Sequence, residues 1–249
     1  SYRCCLDCNR PSRENPAPES RFSAAVIPRH GLTVPTTETT CSAHEYNQMS
    51  TIKSICVYCA SGPGNNPAFM EAATQLGRIL AHNGIRLVYG GGSVGLMGAL
   101  AEAVLDHGGT VTGVIPDFLV NREHMLVRVQ ERIITPDMHE RKRVMFERAD
   151  AFVALPGGVG TLEELVEQLT WAQLGRHKKP ILILNSAGFW DPLCTLIEQM
   201  EALDFIRAGM TVNLLVAERV EEILPKLFEA ARAVSEAETQ MIPVAAEKM

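Results

Sequence analysis

No run of 18 apolar residues occurs in the 249-residue chain, so no membrane-spanning helix is expected. The N-terminal stretch lacks the uninterrupted apolar core of a secretion signal, which makes the expected location cytoplasmic. Cations are outnumbered, with 23 Lys and Arg against 29 Asp and Glu and a formal charge of −6. Proteins that grip a phosphate backbone need a surplus of Lys and Arg on one face, so nucleic acid is not an expected partner. No G-x-x-x-x-G-K-[ST] sequence is present, which removes the P-loop nucleotide triphosphatases. Seven cysteines in a chain this long with 46% hydrophobic residues read as reduced, mostly buried thiols and not as a disulfide scaffold.

What is present divides unevenly. Residues 1–50 carry "RPSRENPAPES" and "TVPTTETTCS", rich in Pro, Ser, Thr and Glu and without sustained periodicity; they read as a disordered leader or an extension upstream of Met49. Residues 51–234 read as one catalytic domain and 235–249 as a flexible tail. Within the domain, short apolar runs alternate with amphipathic segments. Strands are expected at 51–59, 85–92, 110–116, 128–135, 151–158 and 180–185, with a weaker one at 213–218. Asn66 followed by Pro67 reads as an N-cap and first helical position, opening a helix to about residue 82. Further helices are expected at 95–108, 137–149 and 161–175. Parallel neighbours need crossover connections, so this alternation predicts an α/β fold: a Rossmann-like, doubly wound, mostly parallel sheet with helices on both faces. Ligands in such sheets sit beyond the C-terminal strand ends, which directs attention to the loops after the second and fifth strands.

Both loops are rich in glycine. "GGGSVGLMG" matches G-x-G-x-x-G through Gly90, Gly92 and Gly95, a pattern that lets amides approach a phosphate or merely permits tight turns. It follows the second strand instead of the first, and the next strand ends without a carboxylate, so a dinucleotide site is not expected. In "PGGVGTLEE", Gly158 and Gly160 leave the backbone bare, and Thr161 reads as the cap of a helix whose N-terminus suits an anion. Glu164, three residues on, completes a capping-box pattern. The field of a helix N-terminus favours an ionised carboxylate, so Glu164 suits a base or a cation stabiliser better than a proton donor. In "DMHERKRVM", Met138, Arg141, Lys142 and Met145 share one broad helical face; it is either a solvated face or a phosphate grip, and His139 lies off it. Leu162, Leu165, Val166, Leu169 and Trp171 cover more than one stripe, as in a helix with core on one side and a partner subunit on another. Cys5-x-x-Cys8 and Cys41-x-x-His44 have zinc-like spacing, but their connecting segment is long and structureless in composition, so no metal site is expected. Cys56 and Cys59 fall in one strand with side chains on opposite faces, which argues against a redox pair.

Together, "GGGSVGLMG", "MHERK", "PGGVGTLEE", "TWAQLG" and "KPILILN" resemble the Lonely Guy (LOG) family of cytokinin-activating phosphoribohydrolases, over about residues 52–217. Members, often labelled lysine decarboxylases, are Rossmann-like and typically dimeric. They hydrolyse the N-glycosidic bond of nucleoside 5′-monophosphates to a free base and ribose 5-phosphate; plant members favour isopentenyladenosine monophosphate and many bacterial ones accept AMP. The resemblance places a catalytic pair on Arg141 and Glu164. It places substrate contacts on Glu123, Arg141 and Lys142, on the run from Gly158 through Gly160 and Thr161 to Glu164, and on Thr170. One departure is the end of the first strand, Cys-Gly-Ser in the family and Cys59-Ala60-Ser61 here, where the added methyl narrows the base side of the pocket.

The expected mechanism rests the phosphate on the 157–161 turn, helped by the loop of Gly91, Gly92 and Gly95. Arg141 orients the sugar phosphate while Glu164 activates water or stabilises an oxocarbenium ion. No cofactor is called for, and a homodimer is expected. The rival readings are a nucleotide or molybdenum-cofactor carrier, and a decarboxylase with pyridoxal phosphate on a lysine, for which only Lys142 lies near the site.

Overall fold

A computed structural model describes residues 52–120, 124–207, 210 and 213–241. Seven strands run in chain order: β1 (Ser54–Tyr58), β2 (Arg86–Tyr89), β3 (Val111–Pro116), β4 (Glu131–Thr135), β5 (Ala151–Ala154), β6 (Ile181–Leu184) and β7 (Leu214–Ala217). The helices are α1 (Pro67–His82), α2 (Gly95–Asp106), α3 (Met138–Arg148), α4 (Val159–Gln173), α5 (Asp191–Ala202) and α6 (Ile223–Met241). All strand pairs are parallel, in the order β4-β3-β2-β1-β5-β6-β7. The chain winds outward from β1 to β4, crosses back through α3 to β5, and winds outward again. The doubly wound α/β expectation holds. The reversal falls between β1 and β5, and a crevice opens at such a switch point.

Why these strands are central follows from their composition. All five residues of β1, "SICVY", are buried, as strands covered on both faces require. Ile55 and Val57 join a core layer with Leu76, Leu80, Leu100 and Leu227 of α1, α2 and α6. Cys56 and Tyr58 join the opposite layer with Met145, Leu165 and Leu169 of α3 and α4. Cys56 and Cys59 lie in opposite layers, so alternation keeps the two thiols apart as expected. The Asp150 carboxylate accepts bonds from the Lys53 and Ser54 amides and the Ser54 hydroxyl at 2.8, 2.9 and 2.9 Å, fixing the start of β1 beside β5.

Local signals set the helix ends. The Asn66 side chain accepts from the Ala68 amide at 3.0 Å and Pro67 opens α1. The Asp137 carboxylate caps α3 by accepting from the Glu140 amide at 2.8 Å. The strands are shorter than the sequence reading, with β2 ending at Tyr89 and β5 at Ala154, before the glycines read as their ends, and two helix boundaries also differ. Helix α4 starts at Val159, two positions before Thr161, with Gly158 as an N-cap that makes no side-chain bond. Helix α6 continues past residue 234 to Met241, into the segment read as tail. The leader, Cys5, Cys8, Cys41 and His44 among it, lies outside the described residues.

Candidate active site

A cavity of about 460 Å³ opens at the switch point. Its walls come from the end of β1 and the following turn (Val57 to Gly62), from Gly90 after β2, from α3 through Met138, Arg141 and Met145, and from the start of α4. Backbone bonds stitch these segments together. The Ala60 amide donates to Pro156 O at 3.3 Å, the Met97 amide donates to Ala60 O at 3.2 Å, and the Leu155 amide donates to Tyr58 O at 2.9 Å.

Arg141 is 5% exposed, so the "DMHERKRVM" face is not a solvated one. Its Nε donates to Val114 O within β3 at 3.1 Å and its Nη2 to Gly90 O just after β2 at 3.2 Å, so two backbone carbonyls hold the guanidinium. Gly90 makes the second bond possible, because a Cβ there would overlap the guanidinium itself. Nη1 donates to Met138 Sδ at 3.8 Å and lies 3.9 Å from Glu164 Oε1. Glu164 is 8% exposed. The guanidinium and the carboxylate thus face each other at the limit of an ion-pair contact, both nearly shut off from water. Burial first, and the Glu164 charge second, hold the Cys59 thiol well above its ordinary range. Cys59, a cavity-lining residue, is therefore a neutral thiol and no nucleophile at pH 7.

The start of α4 is unusually bare. No side chain caps it, and the first amides of a helix have no partner within the helix. Nothing stands within 4 Å of where a Cβ on Gly158 or Gly160 would project. Neither glycine is required by packing or by a left-handed backbone, and both line the cavity. This is the shape of an anion cradle, in which amides and the helix dipole meet negative charge. Thr161, 5% exposed, also lines the cavity as the third helical residue, with its side chain packed under Gly157. The apolar part of the lining comes from Val57, Met97, Leu119, Met138 and Met145.

The structure brings Arg141, Glu164, Gly158, Gly160 and Thr161 to one cavity. Gly91, Gly92 and Gly95 do not line it. Gly95, at φ +62°, packs its Cα against the Ser61 and Gly62 backbone, leaving no room for a side chain. Gly91 is left-handed and accepts from the Leu126 amide, and Gly92 bridges to Met125. Thr170 is exposed and donates to Val166 O at 2.8 Å within α4. Lys142 is 7% exposed but points to α4, where its Nζ donates to Glu163 Oε1 at 2.5 Å and Glu167 Oε1 at 2.9 Å. His139 is exposed, and Glu123 lies outside the described residues. Cys59, Ala60 and Ser61, where the resemblance put the base side of the pocket, line the cavity, as does Gly90 of the first glycine loop; what the sequence did not show is Gly62 beside them and the hold of the Gly90 carbonyl on Arg141. A first strand that stays central when the chain winds outward was the available signal, since the turn after it then faces the turn after β5. Among the described residues, no group of three His, Cys, Asp or Glu side chains could hold a metal ion. None of their helices is long and apolar enough to cross a membrane.

Residues 97–227 match the family model described as "Possible lysine decarboxylase". The cytokinin riboside 5′-monophosphate phosphoribohydrolase LOG of Oryza sativa subsp. japonica is 48% identical over 180 residues, 72% of this chain and 74% of that protein. The phosphoribohydrolase LOG7 of Arabidopsis thaliana is 47% identical over 180 residues, 72% of this chain and 83% of its own length. Among solved structures, the Moco carrier protein from Chlamydomonas reinhardtii aligns with a TM-score of 0.54 at 22% identity, covering 72% of this chain and 98% of that one. The molybdenum cofactor binding protein from Rippkaea orientalis aligns at 0.52 and 23%, covering 73% and 96%. At that identity these two structures speak to the fold alone. The sequence relatives speak to more: at close to half identity over most of their length, this chain belongs to the LOG family.

Proposed function

We propose that the protein hydrolyses the N-glycosidic bond of adenosine 5′-monophosphates with a plain or a modified base, cytokinin riboside monophosphates among them. The observation that carries this reading is the buried Arg141 and Glu164 pair beside an uncapped, glycine-lined helix start in one cavity. The names of the relatives point to the same chemistry. The phosphate rests on the amides of the 158–161 turn. The base lies along the methionine-rich part of the lining, whose flexible thioethers adapt to a planar ring and an apolar substituent. Arg141, immobilised by two backbone carbonyls, still has N–H groups for the sugar phosphate and fixes its orientation. Glu164 takes a proton from the attacking water as its oxygen bonds to C1′. The base leaves with the glycosidic electron pair and acquires a proton, so one water is consumed per bond broken. Before attack, the same carboxylate opposes the positive charge that builds on the sugar ring.

Pyridoxal phosphate does not fit this cavity. A Schiff base needs a lysine amine facing the substrate, whereas no lysine lines the cavity and the Lys142 ammonium is held by two glutamates. The deciding experiment is chromatographic detection of free base from AMP and isopentenyladenosine monophosphate, each beside its dephosphorylated nucleoside. Release from the monophosphates alone supports the reading. Binding without release from any of them replaces it with a carrier.

A homodimer through α4 belongs to the same proposal. Leu165 and Leu169 are buried in the core, while Val159, Leu162 and Val166 form an exposed stripe at 83%, 37% and 42%. Light scattering should give twice the chain mass, and Leu162→Glu should halve it; a wild-type monomer removes the dimer.

A further inference from the structure

Lys142 follows Arg141 on α3, yet it does not line the cavity. Its ammonium, on a side chain 9% exposed, reaches Glu163 and Glu167, which sit one turn apart on α4 and bracket Glu164. Glu163 is half-exposed at the cavity rim, while Glu167 is largely buried and does not line the cavity. The two neighbouring contacts between α3 and α4 thus differ in kind. Arg141 to Glu164 is a loose approach at 3.9 Å, while Lys142 to its two carboxylates is hydrogen-bonded at 2.5 and 2.9 Å. Arg141 is fixed from the sheet side by Gly90 and Val114. Glu164 is carried by α4, so its distance from Arg141 depends on what sets the spacing of the two helices.

We infer that Lys142 is a positioning residue, a strut from α3 to Glu163 and Glu167 that sets the Arg141 to Glu164 separation, and not a contact to the substrate phosphate. The inference rests on the phosphoribohydrolase reading for its kinetic consequence. A shift of about 1 Å in a reacting group costs up to about 100-fold in rate, so loss of the strut should appear in kcat and leave ground-state binding intact. A phosphate contact behaves in the opposite way, because losing it raises KM and erodes the preference for monophosphate over nucleoside.

The test compares Lys142→Met, Lys142→Arg and Glu167→Gln with the wild type, measuring kcat and KM for AMP hydrolysis, the AMP dissociation constant by calorimetry, and thermal unfolding. Lys142→Met and Glu167→Gln should each lower kcat about 10- to 100-fold with KM and Kd within about threefold of wild type. Their double variant should be no slower than Lys142→Met alone, since both act through one network. Lys142→Arg should recover most of kcat. Wild-type kinetics in Glu167→Gln, or a KM and Kd raised tenfold or more in Lys142→Met with kcat retained, would overturn the inference. Because removing one buried ion can unfold a protein, Glu167→Gln and Lys142→Arg decide the matter if Lys142→Met does not fold. If the wild type releases no base, the functional reading falls by itself. The binding arm then decides the strut: AMP affinity unchanged in the folded Lys142 variant and in Glu167→Gln keeps Lys142 out of the ligand shell, and affinity lost in the Lys142 variant alone overturns it.

Discussion

Replacing Gly160 with Ala should stabilise the protein and weaken the enzyme. Gly160 is the second residue of α4, has no positive φ, and has nothing within 4 Å of a projected Cβ. Alanine therefore fits the folded backbone and removes freedom from the unfolded chain, a gain of about 0.5–1 kcal/mol. For a chain of this size that raises Tm by roughly 2–4 °C per kcal/mol. The added methyl, however, enters the space in which the phosphate meets the helix amides. Losing one hydrogen bond to a charged oxygen costs about 1.5–3 kcal/mol, or roughly 10- to 100-fold in kcat/KM. Scanning fluorimetry reads the first effect, and base release from AMP against adenosine reads the second. The predicted signature is a raised Tm with kcat/KM for AMP lowered at least tenfold. A raised Tm with kcat/KM unchanged would refute the placement of the phosphate on this turn.

Glu164→Gln keeps the size of the side chain and removes its charge; AMP binding should persist while turnover falls by about two or more orders of magnitude, the usual loss for a positioned base. Wild-type turnover in this variant would end the role given to Glu164. A pH effect on stability is expected from His177, which packs against Phe146 and Phe152. Burial, helped by the Lys179 and Arg176 charges, lowers its pKa below the ordinary 6.5. The unfolded chain therefore takes up a proton that the folded protein refuses. This costs no stability above about pH 6.5, and stability falls as pH drops from there toward the folded-state pKa. Denaturant midpoints between pH 5 and 8 should show that slope in the wild type, and His177→Phe should flatten it; an equal slope in both would remove His177 as its source.

Much of the fold was legible in the sequence, for reasons that can be named. The buried strands announce themselves as short apolar runs, and α1 by Asn66 and Pro67, because those signals are local. The site was legible by residue type more than by environment. Spacing put Arg141, Lys142 and Met145 on one face, but the burial of Arg141 depends on the carbonyls of Gly90 and Val114, which are distant in sequence. Thr161 has the chemistry of an N-cap, yet its side chain is packed under Gly157 and the helix starts earlier on a residue with no side chain to offer. Gly91 and Gly95 carry the signature of a phosphate loop. Their conformations and close backbone neighbours account for glycine without any ligand. That distinction lies in φ and in tertiary contact, and a glycine in a sequence has neither.

The reversal of the sheet between β1 and β5 has a consequence for when the site comes into being. One wall belongs to the first strand of the domain and the other begins only after β4 and α3 have brought the chain back beside it. Closing that long loop is entropically demanding, and contacts between segments so far apart in sequence form slowly. A chain that has completed β1 to β4 owns the stem of the cavity and the Gly90 carbonyl, but not the guanidinium that carbonyl receives or the carboxylate opposite. The cavity is thus a seam and not a component. It is assembled by the joining of two half-sheets, and hydrolytic competence reports on that union and on nothing smaller.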